Sequence, residues 1–302
     1  MAPYRNLKTD NVPLAIGAIL LTAVALSLGD AVIKFTSGTF VVWQVFVVRS
    51  LMLLPVLVLW VVARHGIGRL RFATPYWTAM RSLALVFMWL AYYLALPHLE
   101  FSVAAASYYT LPLFITLFSA AFTGARVGPL GWLAVGLGFV GVVLILRPDA
   151  GDFNSYAVLP LISAMLYAAA MILTRTRCLD EPPVMLSLGL NLMFVLIGGL
   201  ATACIAALPG FDQGGRLTAD WAVMDVAAWG TMGMLALAVL IGSIGAGIAY
   251  QNAPSSMIGT FDFTYVGFAV VWGIVFFAQI PDSLTVVGMC LIVLAGILSL
   301  RR

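Results

Sequence analysis

Two stretches decide how this chain is read: VAAASYYTLPLFITLFSAAFTGARVGPLGWLAVGLGFVGVVLILR at Val103–Arg147 and MIGTFDFTYVGFAVVWGIVFFAQIPDSLTVVGMCLIVLAGILSLR at Met257–Arg301. Laid on one another without a gap, they pair Thr110 with Thr264, Phe114 with Phe268, Phe122 with Phe276 and Leu130 with Leu284. Both close on an arginine after an apolar run, LILRP at Leu144–Pro148 and LSLRR at Leu298–Arg302. The pairing predicts an internal repeat, in which the second half of the chain restates the first.

Outward from these stretches the composition stays the same. Of 302 residues, 63% are hydrophobic and 9% charged, against roughly 25% charged in soluble domains. A water-soluble fold is excluded. Crossing the hydrocarbon core takes about 20 mostly apolar residues. Such stretches follow one another at Val12–Ile33, Phe40–Val62, Pro75–Leu96, Phe101–Thr123, Val127–Leu146, Asn154–Thr174, Pro183–Ala207, Ala222–Tyr250, Ser255–Ala278 and Asp282–Leu300. The first is read as a helix rather than a signal peptide, because it is long, is followed by Lys34, carries Asp30 and lacks a small-residue cleavage pattern.

Ten spans place both termini on one side, and Lys/Arg bias says which. With cytoplasmic termini, Arg5, Lys8, Arg64, Arg69, Arg71, Arg126, Arg175, Arg177, Arg301 and Arg302 lie inside, and Lys34, Arg147 and Arg216 outside. Glu100, Asp149, Asp152, Asp212, Asp220, Asp225 and Asp282 also fall outside. The expected protein is therefore all-α, multi-pass, in the inner membrane, with both ends cytoplasmic. Its two units, residues 1–148 and 149–302, have five helices each. Five is odd, so the copies must lie upside down relative to each other, an arrangement that in membrane carriers puts the site near the midplane between halves.

No cofactor or metal is expected. Cys178, Cys204 and Cys290 lie far apart with no metal-ligand spacing. The net charge of +3 gives no case for nucleic acid. The bilayer and a small solute are the expected partners of a monomer or homodimer.

GDAVIK at Gly29–Lys34 with Arg49 in the next span, ALPHLEFSVAAASYYTLPLF at Ala95–Phe114, GVVLILRP at Gly141–Pro148 and AYQNAPSSMIGTFDFTYVGFAVVWGIVFFAQIPD at Ala249–Asp282 occur in that order. On these marks the chain resembles the EamA-type ten-helix members of the drug/metabolite transporter superfamily over nearly its whole length. The resemblance implies an inverted-repeat carrier of amino acids, related metabolites, vitamins or drugs. Where such proteins commonly carry a glutamate at the ends of helices four and nine, this chain has Ala125/Arg126 and Gln279.

Charges inside spans cost a few kcal/mol each on insertion scales, so each is a functional hypothesis. They are Asp30, Lys34, Arg49, Arg81 and Asp262. Asp30 and Lys34 are one turn apart, fit for a local ion pair, an outer gate or part of the cavity lining. Arg49 lies about 14 Å into its span at 1.5 Å per residue, near the bilayer centre. There it needs acceptors, from Asp30 or a substrate carboxylate. Arg81 is close enough to the cytoplasmic end to snorkel to the headgroups. Asp262, with Tyr265 beside it, suits proton coupling, a substrate ammonium or a neutral structural brace. Tyr108 and Tyr109 precede Pro112, where freed carbonyls could line a cavity. Trp89, Tyr92 and Gln251 complete the candidate binding set. Trp43, Gln44, Tyr93, Tyr167, Asn191, Tyr250 and Asn252 are further polar candidates. Glycines such as Gly141 and Gly242 are read as close-packing positions.

No HExxH, paired intramembrane aspartates in one motif, Ser/His pair or phosphate loop supports a membrane enzyme or an ATP-driven pump. The expected function is secondary transport of an amino-acid-like zwitterion or polar aromatic solute. A permease for flavin-like or sulfonium-bearing solutes is the alternative, and a non-transporting receptor or scaffold is the rival of another class.

Overall fold

The computed structural model describes residues 11–123, 128–146, 154–207, 217–262 and 264–299. Several charges used to orient the chain, Arg5, Lys8, Arg126, Arg147, Asp149, Asp152, Asp212, Arg216, Arg301 and Arg302, lie outside them. Among the described residues there are twelve α-helices and no strand: α1 (Val12–Phe35), α2 (Val42–His65), α3 (Pro75–Ala95), α4 (Phe101–Tyr108), α5 (Leu111–Thr123), α6 (Pro129–Leu146), α7 (Val158–Thr176), α8 (Pro183–Ala207), α9 (Val226–Asn252), α10 (Ser255–Phe261), α11 (Thr264–Phe277) and α12 (Ser283–Ser299). Eight stretches are long and apolar enough to cross a membrane, two of them running through α4–α5 and through α10–α11. Pro129–Ile145 and Ser283–Ala295 are apolar but shorter.

The helix ends follow local chemistry. Asn11 accepts from the Leu14 amide at 3.3 Å with Pro13 in the first turn of α1, and Asp225 accepts from the Ala228 amide at 2.7 Å at the start of α9. Both satisfy otherwise orphaned donors. Gly66, at φ 78°, ends α2 with its amide on the Val62 carbonyl, the left-handed stop that glycine adopts most readily.

Spans four and nine, read from sequence as continuous helices, are each broken in the middle. In the fourth, Pro112 has no N–H for the Tyr108 carbonyl, and the helix stops at Tyr108 and restarts at Leu111. In the ninth, no proline lies at the break between Phe261 and Thr264. A threonine hydroxyl bridges each gap: Thr110 donates to the Ser107 carbonyl at 2.9 Å and Thr264 to the Phe261 carbonyl at 2.6 Å. These are the two threonines paired when the stretches were superposed, and both bond three residues back.

Packing relates the helices in matched pairs. α1 lies along α9 and touches α11, while α7 lies along α3 and touches α5. α2 packs on α8, α6 packs on α12, and the broken helices cross near the centre as α4 on α11 and α10 on α5. α6 and α12 approach at two glycines. A Cβ on Gly141 would come within 2.7 Å of the Gly288 carbonyl oxygen, and a Cβ on Gly288 within 2.7 Å of the Gly141 oxygen. Large apolar side chains such as Leu21, Leu59, Phe139, Leu200 and Val275 remain exposed on the outer faces, as expected where lipid rather than water is the surrounding medium.

Candidate functional site

The breaks in the fourth and ninth spans meet α1, α3, α7 and α9 around a central cavity of about 50 Å³. At ~10–15 Å³ of such volume per molecule, that is room for roughly four waters. Asp30, Arg81, Trp89, Tyr92, Tyr108, Tyr109, Tyr167, Asp262 and Tyr265 form its polar and aromatic wall, with Met88, Met171 and Val239 among the apolar lining.

Two carboxyl groups organise this wall. Asp262, in the α10–α11 break, receives the Tyr109 hydroxyl at 3.3 Å and the Tyr250 hydroxyl at 3.4 Å, and Tyr167 bonds it as well. Asp30, in the last third of α1, receives the Tyr265 hydroxyl at 2.5 Å on Oδ2, while its Oδ1 is buried without a hydrogen-bond partner. Tyr265 also meets Tyr92, hydroxyl to hydroxyl at 3.3 Å. Ring contacts lock the set: Tyr109 stacks on Tyr265 at 5.0 Å, and Tyr108 lies edge-on to Tyr109 at 5.3 Å and near Tyr167 at 5.9 Å. Such contacts are worth about 0.5–1.5 kcal/mol each beyond area burial, so the ring is stiff even where a hydroxyl is spare.

Of the ten residues singled out by sequence, the fold brings together seven: Asp30, Trp89, Tyr92, Tyr108, Tyr109, Asp262 and Tyr265. Three take up other positions. Arg49 is fully buried but does not line the cavity. Its Nη1 donates to the Tyr93 hydroxyl at 2.9 Å, and its guanidinium lies 4.5–5.7 Å from the ring centres of Phe194, Trp89, Phe46 and Tyr93. Trp89 stands between, with one contact on Arg49 and one on the cavity. Aromatic faces thus surround the guanidinium, and Asp30, which makes no hydrogen bond to it, still acts on it through space. Lys34 makes no pair with Asp30; its ammonium is held by the Leu96 and Leu99 carbonyls at 2.8 and 2.5 Å, which clamps the end of α1 to the α3–α4 turn. Gln251 donates to the Cys178 and Glu181 carbonyls at 2.9 and 2.7 Å, which ties the end of α9 to the α7–α8 loop.

Arg81 moves the opposite way. Read as snorkelling, it is 1% exposed and faces the cavity, with Nε donating to Thr174 Oγ1 at 2.7 Å. Tyr167 and Tyr250, named only among the wider polar candidates, complete the phenol shell of Asp262. Glu181 was not singled out at all. It is buried in the α7–α8 loop and accepts from the Thr74 amide at 3.1 Å; a loop acid gives no sequence signal for that. Gln279 accepts from the Phe101 amide at 3.0 Å and so caps α4. That neutral amide supplies the acceptor the helix start needs.

Residues 13–147 match the EamA-like transporter family. The chain is similar to a riboflavin transporter of Rhizobium johnstonii, 28% identical over 95% of this chain and 91% of that protein. It is also similar to the pseudopaline exporter CntI of Pseudomonas aeruginosa, at 24% over 92% and 93%. An S-adenosylmethionine uptake transporter of Rickettsia conorii is 22% identical over 92% and 89%. A solved crystal structure shares the fold at a TM-score of 0.68 and 20% identity, over 96% of this chain and 98% of that one.

Proposed function

We propose that this chain, which belongs to the drug/metabolite transporter superfamily, is a secondary transporter that moves a small organic metabolite through the tyrosine-walled cavity by alternating access. The observation that carries the proposal is that two buried acids, Asp30 and Asp262, line one central cavity, each at a place where charge is costly unless used. A cavity of about 50 Å³ is far below the ~300–1,000 Å³ of sites that hold drug-sized ligands. Binding therefore requires the surrounding helices to separate, and the broken spans are the elements that can hinge.

The architecture we propose is ten spans in two inverted halves, residues 1–148 and 149–302, in the inner membrane with both ends cytoplasmic. Its support is the duplicated threonine-bridged break and the exchange of partners between halves, α1 with α9 answering α7 with α3. The solute class favoured is an amino-acid-like zwitterion or polar aromatic molecule, because carboxyl groups and phenols alternate around one small space. A flavin- or S-adenosylmethionine-like solute is the second reading, favoured by what the riboflavin and S-adenosylmethionine carriers are named for.

Purified protein in liposomes, with no ATP, is expected to take up a labelled solute from a panel of amino acids, riboflavin and S-adenosylmethionine, and to lose at least tenfold in uptake with Asp262→Asn. Uptake that strictly requires ATP, or an Asp262→Asn variant with wild-type rate and affinity, would refute the proposal.

A further inference from the structure

Arg81 is a buried cation in an unusual position. Its Nε bonds Thr174, its Nη1 is buried with no hydrogen-bond partner among the described residues, and its electrostatic neighbours are the Cys178 thiol and the Tyr167 phenol, neither an acid. A guanidinium removed from water and left without a carboxylate is strongly disfavoured, and here it forms part of the cavity wall. At the other side of the same space, Asp30 leaves Oδ1 equally unpartnered. Among its described lining residues the cavity thus has one unmet donor, on Arg81, and one unmet acceptor, on Asp30. Arg49, the guanidinium nearer mid-span, also keeps Nε and Nη2 buried without hydrogen-bond partners, but it does not line this space and sits among four rings.

We infer that Arg81 is the docking group for the carboxylate of an amino-acid-like solute in the central cavity, with Asp30 or Asp262 receiving its ammonium group. The inference rests on the transport reading above and narrows it to solutes with both charges. Arg81 lies six residues after the start of α3 and Asp262 seven after the start of α10, both about 10 Å along their helices at 1.5 Å per residue. Asp30 lies five residues from the far end of α1. A solute held carboxylate-first by Arg81 can therefore exchange its cationic end between Asp262 and Asp30 without releasing its anionic end. The guanidinium fork suits a carboxylate better than a point charge does.

The test uses the full-length protein and the proteinogenic L-amino acids, each beside its own carboxamide, with binding read by thermal shift and by competition. At least one acid is expected to bind about ten- to hundredfold tighter than its amide, the worth of a charge-assisted hydrogen bond. Arg81→Gln is expected to bring the acid down to the level of the amide while the amide itself is unchanged. Arg81→Lys, which keeps the charge and guards against a misfolded glutamine variant, is expected to retain part of the preference. The inference is overturned if no acid outbinds its amide, or if Arg81→Gln keeps the preference. Riboflavin uptake by the same liposomes without any amino-acid binding would overturn it while leaving the transport reading intact.

Discussion

At the scale of single residues, the two charges within spans that sequence singles out most strongly, Arg49 and Asp262, have different work. Asp262 is surrounded by hydroxyl donors and faces the cavity. Arg49 is fixed by Tyr93 and four ring faces where α2, α3 and α8 meet. Each cation–π contact contributes up to about 2 kcal/mol when desolvated, so the cage braces the fold. Arg49→Gln is expected to lower the midpoint of thermal unfolding by several degrees while solute affinity per folded molecule stays near wild type. Asp262→Asn is expected to do the reverse. Measuring Tm and apparent KM on both variants checks this, and an Arg49→Gln protein with unchanged Tm and lost affinity would contradict the assignment. Arg49→Lys should behave like the glutamine variant, because a compact ammonium cannot both reach the Tyr93 hydroxyl and spread its contacts over four rings as the larger guanidinium does.

At the scale of elements, the informative features are the broken helices and the glycine crossing. Each break ends its helix beside a residue of the site, Tyr109 after α4 and Asp262 after α10. Backbone irregularity at membrane depth is tolerated where it lines a cavity or is buried in protein, and the threonine hydroxyls satisfy a carbonyl on each side. Where α6 meets α12, the reciprocal approach of Gly141 and Gly288 leaves no room for a side chain. Gly141→Val must push the two helices apart at the backbone, at a cost of about 1–3 kcal/mol or more. The expected result is a lower Tm and reduced yield, whereas Gly136→Val, at a position with open space around its Cβ, should be neutral. Equal yields and melting temperatures for the two variants would count against the crossing.

At the scale of the whole molecule, polar ties outside the site join the helices on both sides of the cavity. On one side, Lys34 holds the α3–α4 turn, Gln279 caps α4, and Gln44 exchanges two hydrogen bonds with Ala222 at 2.7 and 2.8 Å. On the other, Gln251, Arg175 and Glu181 join α9, α7 and the start of α3 through backbone groups. The proposed orientation makes the second set cytoplasmic. A reporter active only in the periplasm, fused after Arg302, is expected to give no signal, and one inserted between α1 and α2 near Gly38 is expected to be active. The opposite pattern would invert the topology.

The sequence by itself determined that the chain is helical and membrane-embedded, and which ionisable residues lie within its apolar stretches, because long apolar runs with few charges are legible without a fold. Superposition of the two stretches also paired Thr110 with Thr264, and both threonines sit at a helix break. The direction in which most side chains point was beyond it. Most of these helices are apolar nearly all round, whereas α3 carries Thr78, Arg81, Ser82 and Tyr92 on the one face that is buried. That stripe alone allows an Arg81 that reaches back to lipid headgroups and one that enters the cavity. Only the packing of α3 on α7, with Thr174 in reach, chose the second. Likewise Phe194 on α8, distant in sequence, decided that Arg49 would be caged by rings instead of opening to the solute.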